Sequence, residues 1–539
     1  MPTAPSLDDV RDDLVRAGKI IDASTLERDL ALEADVVIAG SGAGGGVAAE
    51  ILSDAGLSVI VVEEGPLRTA RDFRMSEAEA YPDLYQDSAA RKTADKAINI
   101  LQGRCVGGGT TINWTTSFRT PRATLAHWAN VYGLEGHSTE ELAAWFSRVE
   151  TRFGIAPWRH DPNANNAALE RGAAKLGIPT GRIRRNVKGC ANLGYCGLGC
   201  PLDAKLSTLV VSIPAALERG ATLITRARAW SYGAEGDRIV ALNCVAMDPQ
   251  GTRPTARKVT LRARAFVTAA GGIGTPALLL RSRLPDPHGV VGKRTFVHPV
   301  VVSAALMPDE IAGYYGAPQS VYSDHFLDSL PPEVPRIGFK LETPPPHPVL
   351  VATTLPNYGA THSERMRRLP NLQVILALLR DGFHPESPGG VVRLQEDGSP
   401  VLDYPFTPYL WDGARRAFAT MAEIQFAAGA STVIPLQENA DGYSSWPAAR
   451  AAIEGFTLAP LATRVVSAHV MGGCPFGPDA RRAVVDARGR HHHLGNLFIA
   501  DGSLFPTSIG ANPQLSIFAV AARIASGIAR QLAGAPAPR

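Results

Sequence analysis

Residues 35–65 read DVVIAGSGAGGGVAAEILSDAGLSVIVVEEG. The run from Asp35 to Ala39 has the β-branched character of a buried strand, and Gly40, Gly42 and Gly45 follow at once in G-x-G-x-x-G spacing. A segment of helical period comes next, then a second β-rich run ending at Glu63. The pattern predicts a strand, a tight turn, a helix and a strand. In such a unit the first glycine permits the turn, the second lets backbone approach a pyrophosphate, and the third lets helix pack close against strand. Amide N–H groups at the helix start, with the positive end of its dipole, then face the phosphates. The turn Gly40, Ser41, Gly42, Ala43, Gly44 and Gly45 is therefore the candidate cradle, and Glu63 stands where a carboxylate accepts hydrogen bonds from a ribose diol. The pattern identifies a dinucleotide site and leaves NAD and FAD both open.

The chain around this unit has 539 residues, 45% hydrophobic and 19% charged, with a net charge of +3. That length holds two or three domains, and so small a charge argues against a nucleic-acid partner or an anionic membrane surface. No unbroken run of 18 apolar residues occurs, so no integral membrane segment is expected. The start, MPTAPSLDDVRDDLVRAGK, has charged residues where a signal peptide needs an apolar stretch, and a cytoplasmic location is the expectation. Six cysteines are too few for a disulfide scaffold. Cys190, Cys196 and Cys200 cluster in GCANLGYCGLGCP, but their spacing matches neither paired zinc CxxC units nor a ferredoxin run. A buried glycine-rich loop of thiols is the favoured reading, and no metal is assigned.

Along the chain, residues 1–34 read as a short amphipathic helix and lead-in. QGRCVGGGTTINWTTSFRTP (102–121) carries three consecutive glycines, Gly107, Gly108 and Gly109, before Thr110, a segment able to lie flat against a large ring with its amides free to donate. Residues 122–185 look mostly helical. Residues 206–220 look helical and lead into one strand, ATLITRARA, with further strands at 237–247 and 258–268. A second glycine-rich turn, AAGGIGT, opens a helix at Thr275 and Pro276. From about residue 300 proline-rich stretches (LPPEVP, ETPPPHP) alternate with β runs, NLQVILALL and a hairpin turning at Asp397 and Gly398. This region reads as an antiparallel sheet. WDGARRAFATMAEIQFAAG follows as an amphipathic helix with Asp412 as N-cap and Gly429 at its end. Near the end, NLFIADGSLFP delivers Asp501 and Gly502 from a short strand, and the triplet His491 to His493 before it reads as a solvent-exposed turn.

Two polar side chains stand out late in the chain: His469 in SAHVMGGCPFG, and Asn512 in GANP. Together the stretches DVVIAGSGAGGGVAAE, VVEEG, GRCVGGGTTINW, AAGGIGTPALLL, VGKRTFVHP, AHVMGGC and ADGSLFPTSIGANPQLSIFAVAARIA resemble the glucose–methanol–choline (GMC) family of flavin oxidoreductases. CGLGC, FRTP and HVMGGC are most similar to its long-chain (fatty) alcohol oxidase branch. The chain departs from the family at Ser117, where the first signature has an aromatic residue or Ala, and at Arg283, where the second usually has Gly.

The resemblance implies an α/β fold, α+β overall: a Rossmann-like FAD-binding domain from 35–121, 186–299 and 455–539, and an antiparallel-sheet substrate-binding domain from 122–185 and 300–454, after the lead-in 1–34. It implies FAD held by the cradle and Glu63, with Arg104, Gly107 to Thr110, Asn113, Trp114 and Ala229 along it and Asp501, Gly502, Asn512 and Pro513 around the flavin. His469 takes the place of the family's catalytic histidine and Asn512 that of its partner. The implied reaction is oxidation of a small-molecule primary alcohol, medium or long in chain, to the aldehyde, with oxygen giving hydrogen peroxide. A quinone acceptor or a non-redox lyase remains an alternative, and the oligomeric state stays open. The chemistry fits: an alcohol losing hydride must lose its proton at nearly the same time, and an imidazole with a pKa of roughly 6.5 is neutral and able to accept it near pH 7. The Asn512 amide would orient the oxygen, and a protonated His469 would later stabilise negative charge on oxygen.

Overall fold

The architecture is that of a computed structural model that describes residues 6–327 and 336–534. The proline-rich LPPEVP stretch lies outside the described residues. The opening motif folds as its spacing predicts, into the strand Leu30–Ala39, the helix Ala43–Asp54 and the strand Val59–Val62. These belong to an eight-stranded sheet. Its parallel part runs Ile20–Asp22, Thr222–Thr225, Val59–Val62, Leu30–Ala39 and Pro254–Thr268, and Leu497–Ile499 joins the last of these, also parallel. Arg238–Met247 and Ala227–Glu235 extend it as an antiparallel meander. Val36, Val37, Ile38 and Ala39 are fully buried, as expected of a strand covered on both faces.

The ATLITRARA segment is two strands rather than one, because Arg226 adopts φ 50° between Thr225 and Ala227 and hands the chain from the parallel part of the sheet to the meander. The helix expected at Thr275 begins at Gly271, so Pro276 lies inside it. Its start is fixed by Asp501 Oδ2, which accepts from Gly271 N–H at 2.8 Å across 230 residues, a cap no local reading sees. Arg283 sits at φ 51°, which gives a physical reason for glycine at that position in the family.

A second eight-stranded sheet, mostly antiparallel, runs Ile98–Ile100, Val465–Ser467, Val300–Leu306, Leu372–Leu379, Phe339–Glu342, Val321–Ser323 and Gly181–Arg182, with Thr432–Pro435 also on Val300–Leu306. The helix Pro408–Ala427 packs Ala417, Phe418 and Met421 into the core beneath it. That helix is capped by Thr407, whose side chain accepts from Leu410 N–H; Asp412, expected there, instead pairs with Arg416 one turn on. The hairpin Gly390–Leu394 and Pro400–Asp403 belongs to a separate four-stranded sheet with Lys293–Phe296 and Met471–Gly472. Of the histidine triplet, His491 is buried, at 3% exposure, correcting the solvent-exposed turn expected for it. Its backbone pairs with Leu497, which draws the ring inward. The helix Gln514–Ala533 is, among the described residues, long and apolar enough to cross a membrane by length and composition, which a search for unbroken apolar runs overlooks. Most of it is buried against Ala43–Asp54 and Thr139–Arg152.

Glycine at three positions lets the first helix, the sheet and the final strand meet backbone to backbone. A Cβ on Gly45 would lie 1.9 Å from the Gly40 carbonyl oxygen and one on Gly44 1.5 Å from that of Ala500, while Gly40 itself needs φ 103°. Gly45→Ala is expected to cost about 1–3 kcal/mol or more through overpacking. Gly527→Ala, in a helix interior with nothing within 4 Å, should instead stabilise by about 0.5–1 kcal/mol. Opposite displacements of the denaturant midpoint are the readout.

Candidate active site

One cavity of about 940 Å³ runs from the first glycine turn to the edge of the second sheet. That volume lies at the upper end of the roughly 300–1,000 Å³ of small-molecule and cofactor sites. At one end Gly40, Ser41, Gly42, Ala43 and Gly44 line it, and no side chain caps the helix that starts there, so its first amides face the cavity. Ser41 ties the two glycine turns together: its Oγ donates to Glu63 Oε2 at 2.7 Å and accepts from Gly107 N–H at 3.0 Å. Glu63 is buried, its other oxygen accepts from Gly65 N–H at 3.0 Å, and burial pushes its carboxyl above the usual range. A Cβ on Gly109, in the same wall, would meet nothing within 4 Å.

At the other end two segments cross side by side between the sheets. Thr295 pairs with Gly472 in the four-stranded sheet, and Val300 pairs with Val466 in the second large one. The residues between, His298 and His469, must then face each other, and their Nδ1 atoms lie 3.3 Å apart. Asn512, held just before the final helix, brings Nδ2 to 3.5 Å from His469 Nε2 and donates to Glu342 Oε2 at 3.2 Å. Gln319 donates to the same oxygen at 2.7 Å. Glu342 Oε1 and Asn512 Oδ1 are buried and have no hydrogen-bond partner among the described residues. Burial alone lowers the His469 imidazole to about 4, so the ring is neutral at pH 7. His298 falls well below its ordinary value, first through burial and then through His469 beside it. Burial raises the Glu342 carboxyl to about 7 against the opposing pull of Lys340.

Most residues singled out in the sequence line this cavity: Glu63, Arg104, Gly108, Gly109, Thr110, Asn113, Trp114, Ala229, His469, Asp501, Gly502, Asn512 and Pro513 join the first turn there. Gly45 and Gly107 stand one layer behind, Gly45 packing helix on turn and Gly107 holding φ 87° against Thr111. Asp501 spends its oxygens on Gly271 N–H, Thr275 Oγ and Ser503 N–H, so it ties its own segment to the first turn of the helix Gly271–Arg281. Burial raises its carboxyl. The thiol loop is half-buried rather than buried, because Cys190, Cys196 and Cys200 sit at the surface of a turn whose inner atoms are Gly197 and Leu198. All three are free thiols.

The sequence reading missed Glu342, Gln319 and His298, and the apolar side chains of Val300, Leu376, Leu378 and Val466, which the strand register sets on the same face of the sheet as Glu342. In FKLE (339–342) the alternation marks Lys340 and Glu342 as a solvent face, yet both are buried, at 1% and 0% exposure. His298 carried one usable signal, its place inside the quoted VGKRTFVHP stretch.

A dinucleotide cradle and a buried acid–base group opening into one cavity define a cofactor-dependent oxidoreductase. The chain belongs to the GMC oxidoreductase family, whose amino- and carboxy-terminal models match residues 81–300 and 385–521. An uncharacterized GMC-type oxidoreductase of Sinorhizobium fredii is 30% identical over 508 residues, 93% of this chain and 95% of that one. A long-chain-alcohol oxidase of Arabidopsis thaliana is 28% identical over 528 residues, 93% of this chain and 68% of the plant protein. Among solved structures, a formate oxidase of Aspergillus oryzae studied for its FAD modification superposes with a TM-score of 0.70 at 14% identity, over 94% of this chain and 99% of that one, a likeness of fold.

The residues present fit FAD. The cradle is backbone, Arg104 Nε in the wall is a buried donor with no partner among the described residues, and the flat glycine segment faces the open space beyond it. Ser41→Ala removes both bonds of the Ser41 hydroxyl and leaves buried Glu63 short of a donor, at a cost of about 1–3 kcal/mol. FAD retention, followed by visible absorbance during dialysis, should fall accordingly, while a Ser58→Ala control at the exposed pair with Asp35 should not change it.

Proposed function

We propose that this protein is an FAD-dependent oxidase of primary aliphatic alcohols of medium or long chain, releasing the aldehyde and reducing oxygen to hydrogen peroxide. The observation that carries the reading is the meeting, in one cavity, of the Gly40–Gly44 cradle with His469, Asn512 and Glu342. The cradle amides would hold the pyrophosphate, and Asn113, Trp114 and Gly108 to Thr110 would lie along the ring system. When bound, FAD supplies the hydride acceptor and passes the electrons on. The protein orients the alcohol oxygen at His469 and Asn512, takes its proton into the buried polar group, and excludes water behind the second sheet. The apolar wall of Val300, Leu376, Leu378 and Val466 suits an alkyl body, and the likeness to the plant long-chain-alcohol oxidase supports the same substrate class. We assign the first sheet with its helices to cofactor binding and the second to substrate binding.

Mixing the yellow protein with a panel of alcohols, first without oxygen and then with it, tests the reading. Medium- and long-chain primary alcohols should bleach the flavin, and admitted oxygen should restore it with one hydrogen peroxide per turnover. Restoration only by a quinone overturns the oxidase assignment. No bleaching by any alcohol overturns the reading as a whole. His469→Ala should slow the bleaching by about 10²–10⁴-fold while FAD stays bound. An unchanged rate would remove His469 from the chemistry.

A further inference from the structure

The histidine pair fixes where its protons sit. Gly510 N–H, which can only donate, points at His298 Nε2 from 3.0 Å, so His298 carries its lone pair on Nε2. A neutral imidazole has one N–H, and that of His298 is therefore on Nδ1. From there it reaches His469 Nδ1 at 3.3 Å, which must accept. Neutral His469 then carries its own proton on Nε2. The 3.5 Å approach of Asn512 Nδ2 to that atom brings two donors together and is not a hydrogen bond, so the Nε2–H is left for a ligand in the cavity. An imidazole in this tautomer presents a donor, and it has no lone pair with which to take a hydroxyl proton there.

Glu342 has what His469 lacks. It is fully buried and lines the same cavity. Its Oε2 is held by Gln319 and Asn512, and Gln319 in turn accepts from Thr116, a chain that fixes the carboxyl plane. Its Oε1 has no hydrogen-bond partner among the described residues. A buried oxygen without a partner is destabilising, and a ligand donor in the cavity would offset that. The charged groups acting on it are Lys340, two residues earlier on the same face of the strand, and Asp324, which pairs with that lysine; neutral His469 faces it across Asn512.

Resting on the reading of this protein as an alcohol oxidase, we infer that Glu342 Oε1, and not His469, takes the hydroxyl proton, while His469 Nε2–H donates to the same alcohol oxygen and steadies its negative charge. In this step the alcohol O–H bond breaks, the Glu342 O–H bond forms, and the pair left on oxygen becomes the C=O bond as the carbon gives up hydride to the bound cofactor. The histidine acts as a preorganised donor, and the acid–base work falls to the carboxyl.

Three measurements on the FAD-loaded protein test this. In the first, the anaerobic rate of flavin bleaching is followed against pH. A base held near 7 must lose its proton before it can work, so the rate should rise through about pH 7 and level off above it; a limb near 4, where His469 lies, overturns the inference. In the second, Glu342→Gln should lower the plateau rate by about 10²–10⁴-fold and abolish the limb, with Glu342→Asp recovering part of both. A Gln variant with the parent rate and profile overturns it. The third needs no turnover: ¹⁵N spectra of labelled protein, assigned with His469→Gln, should place the His469 proton on Nε2. A proton on Nδ1 overturns the tautomer whether or not any alcohol is oxidised. If no alcohol bleaches the parent protein, the oxidase reading falls by itself, and the nitrogen spectra still decide the orientation of the histidine.

Discussion

The structure depends on backbone meeting backbone at the carboxyl ends of three parallel strands. Leu30–Ala39, Pro254–Thr268 and Leu497–Ile499 end at one level, and at each end the chain turns at once into a helix or a tight turn. Gly40 lies against Ala269, Gly44 against Ala500 and Gly45 against Gly40, each nearer than any Cβ allows. The result is a stretch of cavity floor where Gly40, Gly42 and Gly44 expose backbone. A phosphate-bearing ligand can approach such a floor, and the helix dipole meets it there. The same contacts lock Asp501 beneath the helix start at Gly271, so the cradle and the far end of the cavity share one rigid base.

The reactive end depends on a different constraint, the antiparallel crossing of residues 295–301 with residues 465–472. Pairing on both sides of the crossing leaves His298 and His469 facing each other, and His298 takes φ 45° to make the turn. Backbone geometry thus sets the pair before any side-chain contact forms. Asp381 holds the same turn from behind, accepting from Val297 N–H and His298 N–H at 3.1 Å each and from Tyr404 at 2.7 Å. A side-chain pair fixed by two sheets is held more tightly than one on a free loop, which suits the positioning role proposed for His469.

These two constraints differ in how far they can be read from the amino-acid sequence. The cradle is local: its glycines, flanking strands and helix lie within 35–65, and period and spacing expose them. His469 and Asn512 were legible through motifs that surround them. Glu342 was not, because FKLE has the alternation of a half-exposed strand and becomes buried on both faces only when the helix Pro408–Ala427 packs on one and segments carrying Phe118 and Asn512 on the other. The N-cap at Asp412 and the helix start at Thr275 failed similarly: local signals were outweighed by Thr407 and by an aspartate 230 residues away.

The composition of the pocket bears on what it can hold. Glu342, Asn512, Gln319 and His469 form one polar group in it, and beside Glu342 on the same sheet face the side chains of Val300, Leu376, Leu378 and Val466 offer no partner to a hydroxyl. A ligand with one hydroxyl at the end of an apolar body can satisfy both sides. Its oxygen donates to one unpartnered acceptor and receives from one donor, while each buried CH₂ contributes about 0.8 kcal/mol against the wall. A sugar-like polyol cannot do this, since each further hydroxyl turned to that wall loses its water for nothing and costs about 1–3 kcal/mol. Discrimination against polyols therefore follows from the apolar side chains as much as from the polar group beside them.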